Sequence, residues 1–146
     1  MGTMLAAKQQ GVPLPGAAIA VSPWIDLTLS GDSHDYNRDA EVMMGPSLLA
    51  PWADAYLDGA DPKTPTASPL FGDLEGLPPT YLLVGSTEIL FDDARAMFMK
   101  LSRSGVDTTI DVAHELPHVW PVFAYQLPEG RSAIQKMGAF FRAHLG

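Results

Sequence analysis

Residues 80–88 read TYLLVGSTE, an unbroken apolar run followed by a glycine, two hydroxyl residues and a carboxylate. A short apolar run without polar alternation is typical of a strand buried on both faces, as in a parallel sheet. Residues 17–22, AAIAVS, show the same pattern, and residues 108–113, TTIDVA, are rich in β-branched side chains. The sequence therefore predicts three strands, with the carboxylate of Glu88 just beyond the end of the middle one.

Helical patterns alternate with these strands. Residues 1–11 resemble the last turns of a helix that ends at Gly11. In residues 91–104 one helical face collects the apolar side chains of Ala94, Met97, Phe98 and Leu101. Residues 128–144 predict a final helix that places on one side Ile134, Met137, Phe140 and Phe141. Alternating strands and helices predict an α/β fold with a parallel sheet. Because such a sheet needs partners on its edges, we expect at least one open edge.

The stretch from Ile25 to about Pro69 differs from the rest of the chain. It is rich in Pro, Gly, Asp and Ser and shows no strand alternation. One helix is predicted in it, from Pro46 or Ser47 through Tyr56. We therefore expect an insertion here and not a part of the sheet.

The overall composition excludes several classes of function. Nine basic and seventeen acidic residues give a net charge of −8 without any basic cluster, so we expect neither nucleic-acid nor membrane partners. No apolar stretch approaches the ~20 residues of a membrane span. The absence of cysteine excludes disulfides and fits a cytoplasmic location. The four histidines form no spaced metal motif, and we expect no cofactor and no metal.

Two residues are the main candidates for chemistry. Glu88 follows the second predicted strand and His118 follows the third, so both are expected at the carboxyl-end rim of the sheet. A carboxylate bonded to one imidazole nitrogen would orient the ring while the other nitrogen exchanges a proton with a substrate or nucleophile. Asp92 is the reserve candidate for the acid. The plainer alternatives are a carboxylate that stabilises a helix start and a loop histidine bonded to backbone.

No nucleophile accompanies this pair. A serine elbow needs the pattern G-x-S-x-G, which occurs nowhere in the 146 residues. Ser33 follows a glycine at the right distance, but His34 and Asp35 stand where a second glycine is needed. An H-G-G-G stretch for an oxyanion hole is missing as well. A weaker alternative is a metal site built from His114, Glu115 and His118.

Several short motifs resemble the hormone-sensitive-lipase-like (HSL) branch of the α/β-hydrolases. They are S-P-W-I-D-L-T at residues 22–28, A-S-P-L at 67–70, L-P-P-T at 77–80, E-I-L-F-D-D at 88–93 and H-V-W at 118–120. The resemblance implies that residues 1–146 are the C-terminal part of one α/β-hydrolase domain, with strands equivalent to strands six to eight. It implies a cap-like insertion at residues 27–68. It also assigns Glu88 to the acid position, where the family more often has Asp, and His118 to the catalytic histidine.

These observations predict a truncated carboxylester hydrolase, an esterase or lipase of the serine-hydrolase lineage. It carries the acid and the histidine of a Ser-Glu/Asp-His triad but lacks the nucleophile elbow and the oxyanion hole, so we expect the isolated chain to be inactive. The intact family acts on small acyl esters. The alternative is a non-catalytic module whose exposed sheet edge binds a second copy or a separate N-terminal half.

Overall fold

In the computed structural model, which describes residues 1–145, the elements follow the predicted order. The helices are α1 (Gly2–Gln9), α2 (Ser33–Tyr36), α3 (Pro46–Leu57), α4 (Phe91–Arg103) and α5 (Pro128–Leu145). The strands are β1 (Ala18–Val21), β2 (Thr80–Gly85) and β3 (Thr108–Ala113). Short 3-10 turns occur at Pro69–Phe71 and Trp120–Phe123. The sequence did not predict these two turns or α2.

The three strands form one parallel sheet in the order β1-β2-β3. The α/β fold class predicted from the sequence is confirmed, with β2 in the middle and buried at all six positions. Within residues 1–145, β1 pairs with β2 on one side and has no strand on the other. The sheet therefore has an open edge at β1, as expected for three strands.

Each face of the sheet packs against its own helix. Leu82 of β2 points toward α4, where it packs with Met97 and Leu101. Tyr81 and Leu83 point to the opposite face, toward α5. Because neighbouring side chains of a strand alternate between faces, the apolar run of β2 fills both halves of the core.

The inner face of helix α5 matches the predicted one only in part. Its inner positions are Ala133, Met137 and Phe140, which pack near Tyr81 and follow the i, i+4, i+7 spacing of a helical stripe. Ile134 and Phe141 were predicted to share this face, but both are exposed. Ala133 instead is buried beside Trp120, so this position and not Ile134 faces the sheet.

Residues 27–68 contain α2 and α3 and no strand. A separate apolar cluster joins this segment to the turn before α4, with Leu49 packed against Ile89 and Leu90. The segment is therefore attached directly to the loop that carries Glu88.

Candidate active site

Glu88 lies in the turn between β2 and α4 and is completely buried. Its Oε1 atom accepts hydrogen bonds from the hydroxyl of Ser22, at 2.7 Å, and from the backbone N–H of Gly85. Its Oε2 atom lies 2.8 Å from Nδ1 of His118. A buried carboxylate is costly unless it is paired and hydrogen-bonded, and here donors from three separate segments satisfy Glu88.

His118 lies in the loop between β3 and α5, and its side chain is 18% exposed. An ionised carboxylate can only accept hydrogen bonds, so in the neutral ring Nδ1 carries the proton and Nε2 presents its lone pair. Among the hydrogen bonds within residues 1–145, none uses Nε2 of His118. The geometry therefore leaves Nε2 available to take a proton from a group that approaches the rim.

The backbone around the pair is tightly constrained. Gly85, the last residue of β2, faces the His118 loop so closely that a β-carbon would lie 2.1 Å from the carbonyl oxygen of Leu116. The hydroxyl of Thr87 donates to the same oxygen at 3.1 Å, and the N–H of Glu115 donates to the hydroxyl of Ser86 at 2.9 Å. Two hydrogen bonds thus connect the turn after β2 to the loop after β3.

The segment of residues 27–68 also holds the loop that carries Glu88. The side-chain amide of Asn37 donates to the carbonyl oxygens of Ser86, at 3.0 Å, and Glu88, at 2.8 Å. The hydroxyl of Ser33, which is buried, donates to the carbonyl of Ile89 at 2.6 Å and accepts from the N–H of Asp92 at 3.0 Å. These contacts give Ser33 a structural role in α2, where its hydroxyl is enclosed.

Asp92, the reserve acid, makes its contacts elsewhere. Its Oδ2 atom accepts the N–H of Ser33 at 2.9 Å, and its Oδ1 atom lies 3.0 Å from the guanidinium of Arg95. Within the described residues the partner of His118 is Glu88, and Asp92 anchors α2 to the start of α4. Helix geometry explains the difference, because Asp92 lies in the first turn of α4 and Glu88 precedes it.

The polar residues of the S-P-W-I-D-L-T motif have specific hydrogen-bonding partners. Asp26 is buried, and its carboxylate accepts hydrogen bonds from the hydroxyls of Ser30 and Thr28 and from the N–H of Thr28. Burial alone would raise the pKa of Asp26, but these hydrogen bonds outweigh it and lower the pKa below its usual value. The N–H groups of Ile25 and Asp26 donate to the carboxylate of Asp93. The motif thereby attaches the segment after β1 to α4.

The other histidines lie apart from the pair. The side chain of His114 is 86% exposed and lies 3.8 Å from the carboxylate of Glu115. His34 lies beside Asp93, and His144 bonds within α5 to the carbonyl of Phe140. Among residues 1–145, no group of three or more His, Asp or Glu side chains is arranged to hold a metal ion. In the same range, no helix has the length and apolar character to span a membrane.

Three positions that hold the pair were not predicted to be functional from the sequence: Ser22, Gly85 and Asn37. Ser22 and Gly85 each end a predicted strand, where hydroxyl and glycine residues often mark a functional rim, so a signal for them was present. Asn37 lies in a polar loop without periodicity, and nothing in the sequence connects it to the turn 49 residues later.

An apolar cleft of about 540 Å³ lies beside β1, between α1 and α3. Its lining includes Ala20, Trp24, Trp52 and Tyr56. Glu88 and His118 do not line it.

A parallel sheet with a carboxylate and a histidine at its carboxyl-end rim is the arrangement of the α/β-hydrolases. A family profile described as "alpha/beta hydrolase fold" matches residues 1–122, and the chain belongs to this family. The predicted resemblance to the HSL branch is also confirmed, since the structure superposes with a TM-score of 0.96 on an esterase from the bacterial hormone-sensitive lipase family. The two are 41% identical, and the match covers 99% of this chain and 49% of that one.

Curated relatives agree with this assignment. An acetyl-hydrolase of Streptomyces hygroscopicus is 42% identical over 146 residues, which are 100% of this chain and 49% of the relative. An esterase of Acinetobacter venetianus is 34% identical over 137 residues, which cover 93% of this chain and 45% of the relative. The chain thus spans about half the length of the relatives it matches.

Proposed function

We propose that this chain provides the acid and the histidine of a serine-type carboxylester hydrolase. The contact of 2.8 Å between Nδ1 of His118 and Oε2 of Glu88, at the ends of neighbouring strands, carries this proposal. The esterase and acetyl-hydrolase relatives support the reaction class. In this proposal residues 1–146 are the C-terminal part of the domain, and residues 27–68 are the cap-like insertion. A cytoplasmic location stays a prediction from the absence of cysteine.

The proposed reaction begins when Nε2 of His118 takes the proton from a serine hydroxyl supplied from outside these 146 residues. The serine oxygen attacks the ester carbonyl, and Glu88 stabilises the imidazolium that forms. His118 then gives the proton to the leaving alcohol, and a water molecule deprotonated by His118 hydrolyses the acyl-serine. Oxyanion donors would come from the same outside segment, since the sequence here has no H-G-G stretch.

We expect the isolated chain to give no turnover of p-nitrophenyl esters above background. The positive test is a chimera that joins this chain to the first half of a solved HSL-family esterase, which the 41% identity makes practicable. The chimera should hydrolyse p-nitrophenyl esters. His118→Ala should abolish the reaction, whereas the matched control His114→Ala should not, because His114 is exposed and lies away from Glu88.

Two outcomes would contradict the proposal. A folded chimera that neither binds nor hydrolyses esters would contradict the proposed hydrolase function. Hydrolysis by the isolated chain that is abolished by His118→Ala would instead show a nucleophile within the 146 residues. Ser33→Ala alone would then test whether Ser33 is that nucleophile, and its complete burial argues against this.

A second candidate function is a module that associates through the open sheet edge. An apolar patch lies beside β1, composed of Val21, Val119, Pro121, Val122, Ile134 and Met137. Val122 and Ile134 are 62% and 49% exposed, which is unusual for adjacent apolar side chains on a monomer surface. Because the relatives are twice as long, the occupant we propose for this surface is the preceding half of the domain, with a second copy of the chain as the alternative.

Sedimentation velocity at micromolar concentration tests this surface. We expect the chain alone to self-associate and Ile134→Lys with Val122→Lys to reduce association. Val42→Lys is the matched control, since Val42 is 79% exposed but lies in the insertion. A monodisperse monomer that also fails to bind the first half of an HSL-family esterase would contradict this second function.

A further inference from the structure

Ser22 follows β1 directly and is buried, and its hydroxyl oxygen contacts both Glu88 and the backbone of the residue after His118. Its hydroxyl donates to Oε1 of Glu88 at 2.7 Å. The same oxygen accepts the backbone N–H of Val119, the residue after His118, at 2.9 Å. The acid and the histidine loop are 30 positions apart in the chain, and Ser22 joins them from a third segment.

The directions of these two bonds follow from the groups involved. A hydroxyl has one proton to donate, a carboxylate can only accept, and a backbone N–H can only donate. Ser22 must therefore donate to Glu88 and accept from Val119. An alanine at this position would leave one lone pair of Glu88 and the N–H of Val119 without these partners.

The backbone at both ends of this bridge is strained. Ser22 has a φ of 48° and Val119 a φ of 49°, in the left-handed region that disfavours β-branched residues most strongly. Strain of this kind persists where the surrounding contacts hold it, and it concentrates at functional sites. The hydrogen bond between Ser22 and Val119 links the two strained residues directly.

We propose that Ser22 is a positioning residue that keeps the side chains of Glu88 and His118 correctly oriented toward each other. Its hydroxyl holds the carboxylate so that Oε2 faces Nδ1, and it holds the loop so that the ring stays in the tautomer with a proton on Nδ1. The catalytic consequence of this role rests on the proposed function. The tautomer itself can be measured without any catalysis.

The test uses the ¹⁵N-labelled 146-residue chain at a pH where His118 is neutral. The ring nitrogen shifts report the ratio of the Nδ1–H to the Nε2–H tautomer, and His118→Gln assigns the signal. We expect Ser22→Ala and Ser22→Gly each to lower this ratio about tenfold, because each removes the hydrogen bond to the charged carboxylate that keeps Oε2 toward Nδ1. Glycine accepts a φ of 48° without strain. An effect that Ser22→Gly shares with Ser22→Ala therefore comes from the lost hydroxyl and not from backbone strain. Ser30→Ala is the control, since its hydroxyl also bonds a buried carboxylate, that of Asp26.

An unchanged tautomer ratio in folded Ser22→Ala and Ser22→Gly would overturn the proposal. A change of the same size in Ser30→Ala would also overturn the proposal, because the tautomer would then respond to any destabilisation of the fold. If neither Ser22 variant folds, amide hydrogen exchange of the wild-type chain tests the bond between Ser22 and Val119. The Val119 amide should then exchange much more slowly than exposed amides of the same loop, and rapid exchange would refute the bridge.

These results separate the proposal from the hydrolase function. An inactive chimera with a Ser22-dependent tautomer would refute the hydrolysis and keep the positioning role. An active chimera whose kcat and pH profile are unaffected by Ser22→Gly would keep the hydrolysis and refute the positioning role.

Discussion

The carbonyl oxygen of Leu116 occupies the place where a side chain on Gly85 would begin. A β-carbon at Gly85 would lie 2.1 Å from that oxygen and 3.1 Å from Oε1 of Glu88. The end of β2 can therefore approach the His118 loop only because residue 85 has no side chain. The contact between Glu88 and His118 depends on this close approach.

Gly85→Ala is accordingly expected to destabilise the fold and displace the His118 loop. Overpacking against backbone costs about 1–3 kcal/mol in the free energy of unfolding, to be measured by urea titration. Gly138→Ala is the matched control, because the nearest atom there is the end of the flexible Arg142 side chain. Because Gly138 lies in the interior of α5, Gly138→Ala should raise the free energy of unfolding by about 0.5–1 kcal/mol. Equal urea midpoints for the two variants would contradict the close approach of Gly85 to the carbonyl of Leu116.

Glu88→Gln tests the direction of the hydrogen bond to His118. The amide would keep an oxygen toward Ser22 and Gly85 and place its NH₂ group toward Nδ1, which must then accept. We expect the neutral ring to move to the Nε2–H tautomer, visible in its ¹⁵N shifts. In the active chimera kcat should fall by ~10⁴-fold, the size seen when the acid of a serine-hydrolase triad becomes an amide.

The control for that experiment is Glu115→Gln, which changes an exposed carboxylate in the same loop. It should leave the His118 tautomer and the kcat of the chimera unchanged. If Glu88→Gln kept the Nδ1–H tautomer, the proposed donation from Nδ1 of His118 to Glu88 would be contradicted.

Asn37→Ala should destabilise the chain by about 1–3 kcal/mol, because the buried carbonyl oxygen of Glu88 and the partly buried one of Ser86 lose this donor. Hydrogen exchange should quicken in residues 86–92. Arg38→Ala is the neighbouring control. Its exposed ion pair with Asp35 contributes under ~1 kcal/mol. A smaller effect for Asn37→Ala than for Arg38→Ala would disprove the anchoring role of Asn37.

The depressed pKa of Asp26 predicts a pH-dependent contribution to stability. A carboxyl with a pKa below its usual 3.8 in the folded state stabilises the fold above that value, and the stabilisation is lost as pH falls through the folded pKa. Ser30→Ala should therefore cost ~1–2 kcal/mol at pH 7 and progressively less below about pH 4.

Ser102→Ala is the reference for this pH series, because Ser102 is exposed and its hydroxyl bonds only the carbonyl of Phe98 in its own helix. Its effect on the free energy of unfolding should not vary with pH. A cost of Ser30→Ala that stays constant from pH 7 to pH 3 would refute the assignment of the depressed pKa to this hydrogen bond.

The sequence predicted β2 and β3 to the residue and α4 to within one residue. Their apolar periodicity and their Gly and Pro boundaries are local signals, which need no knowledge of the remaining chain. The inner face of α5 was predicted correctly at Met137 and Phe140 but not at Ile134 and Phe141. Ile134 and Ala133 are both apolar, and only the packing beside Trp120 shows that Ala133 is the inner one.

The sequence by itself determined the order of the strands and helices, the rim on which Glu88 and His118 lie, and the family resemblance. These features depend on periodicity and on the rule that parallel strands share one carboxyl-end edge. Only the tertiary structure decided that Glu88 and not Asp92 bonds His118, and that Ser22, Gly85 and Asn37 hold the pair. Such contacts join residues 30 or more positions apart, and hydrogen-bond geometry over that separation is set by packing, which no local pattern encodes.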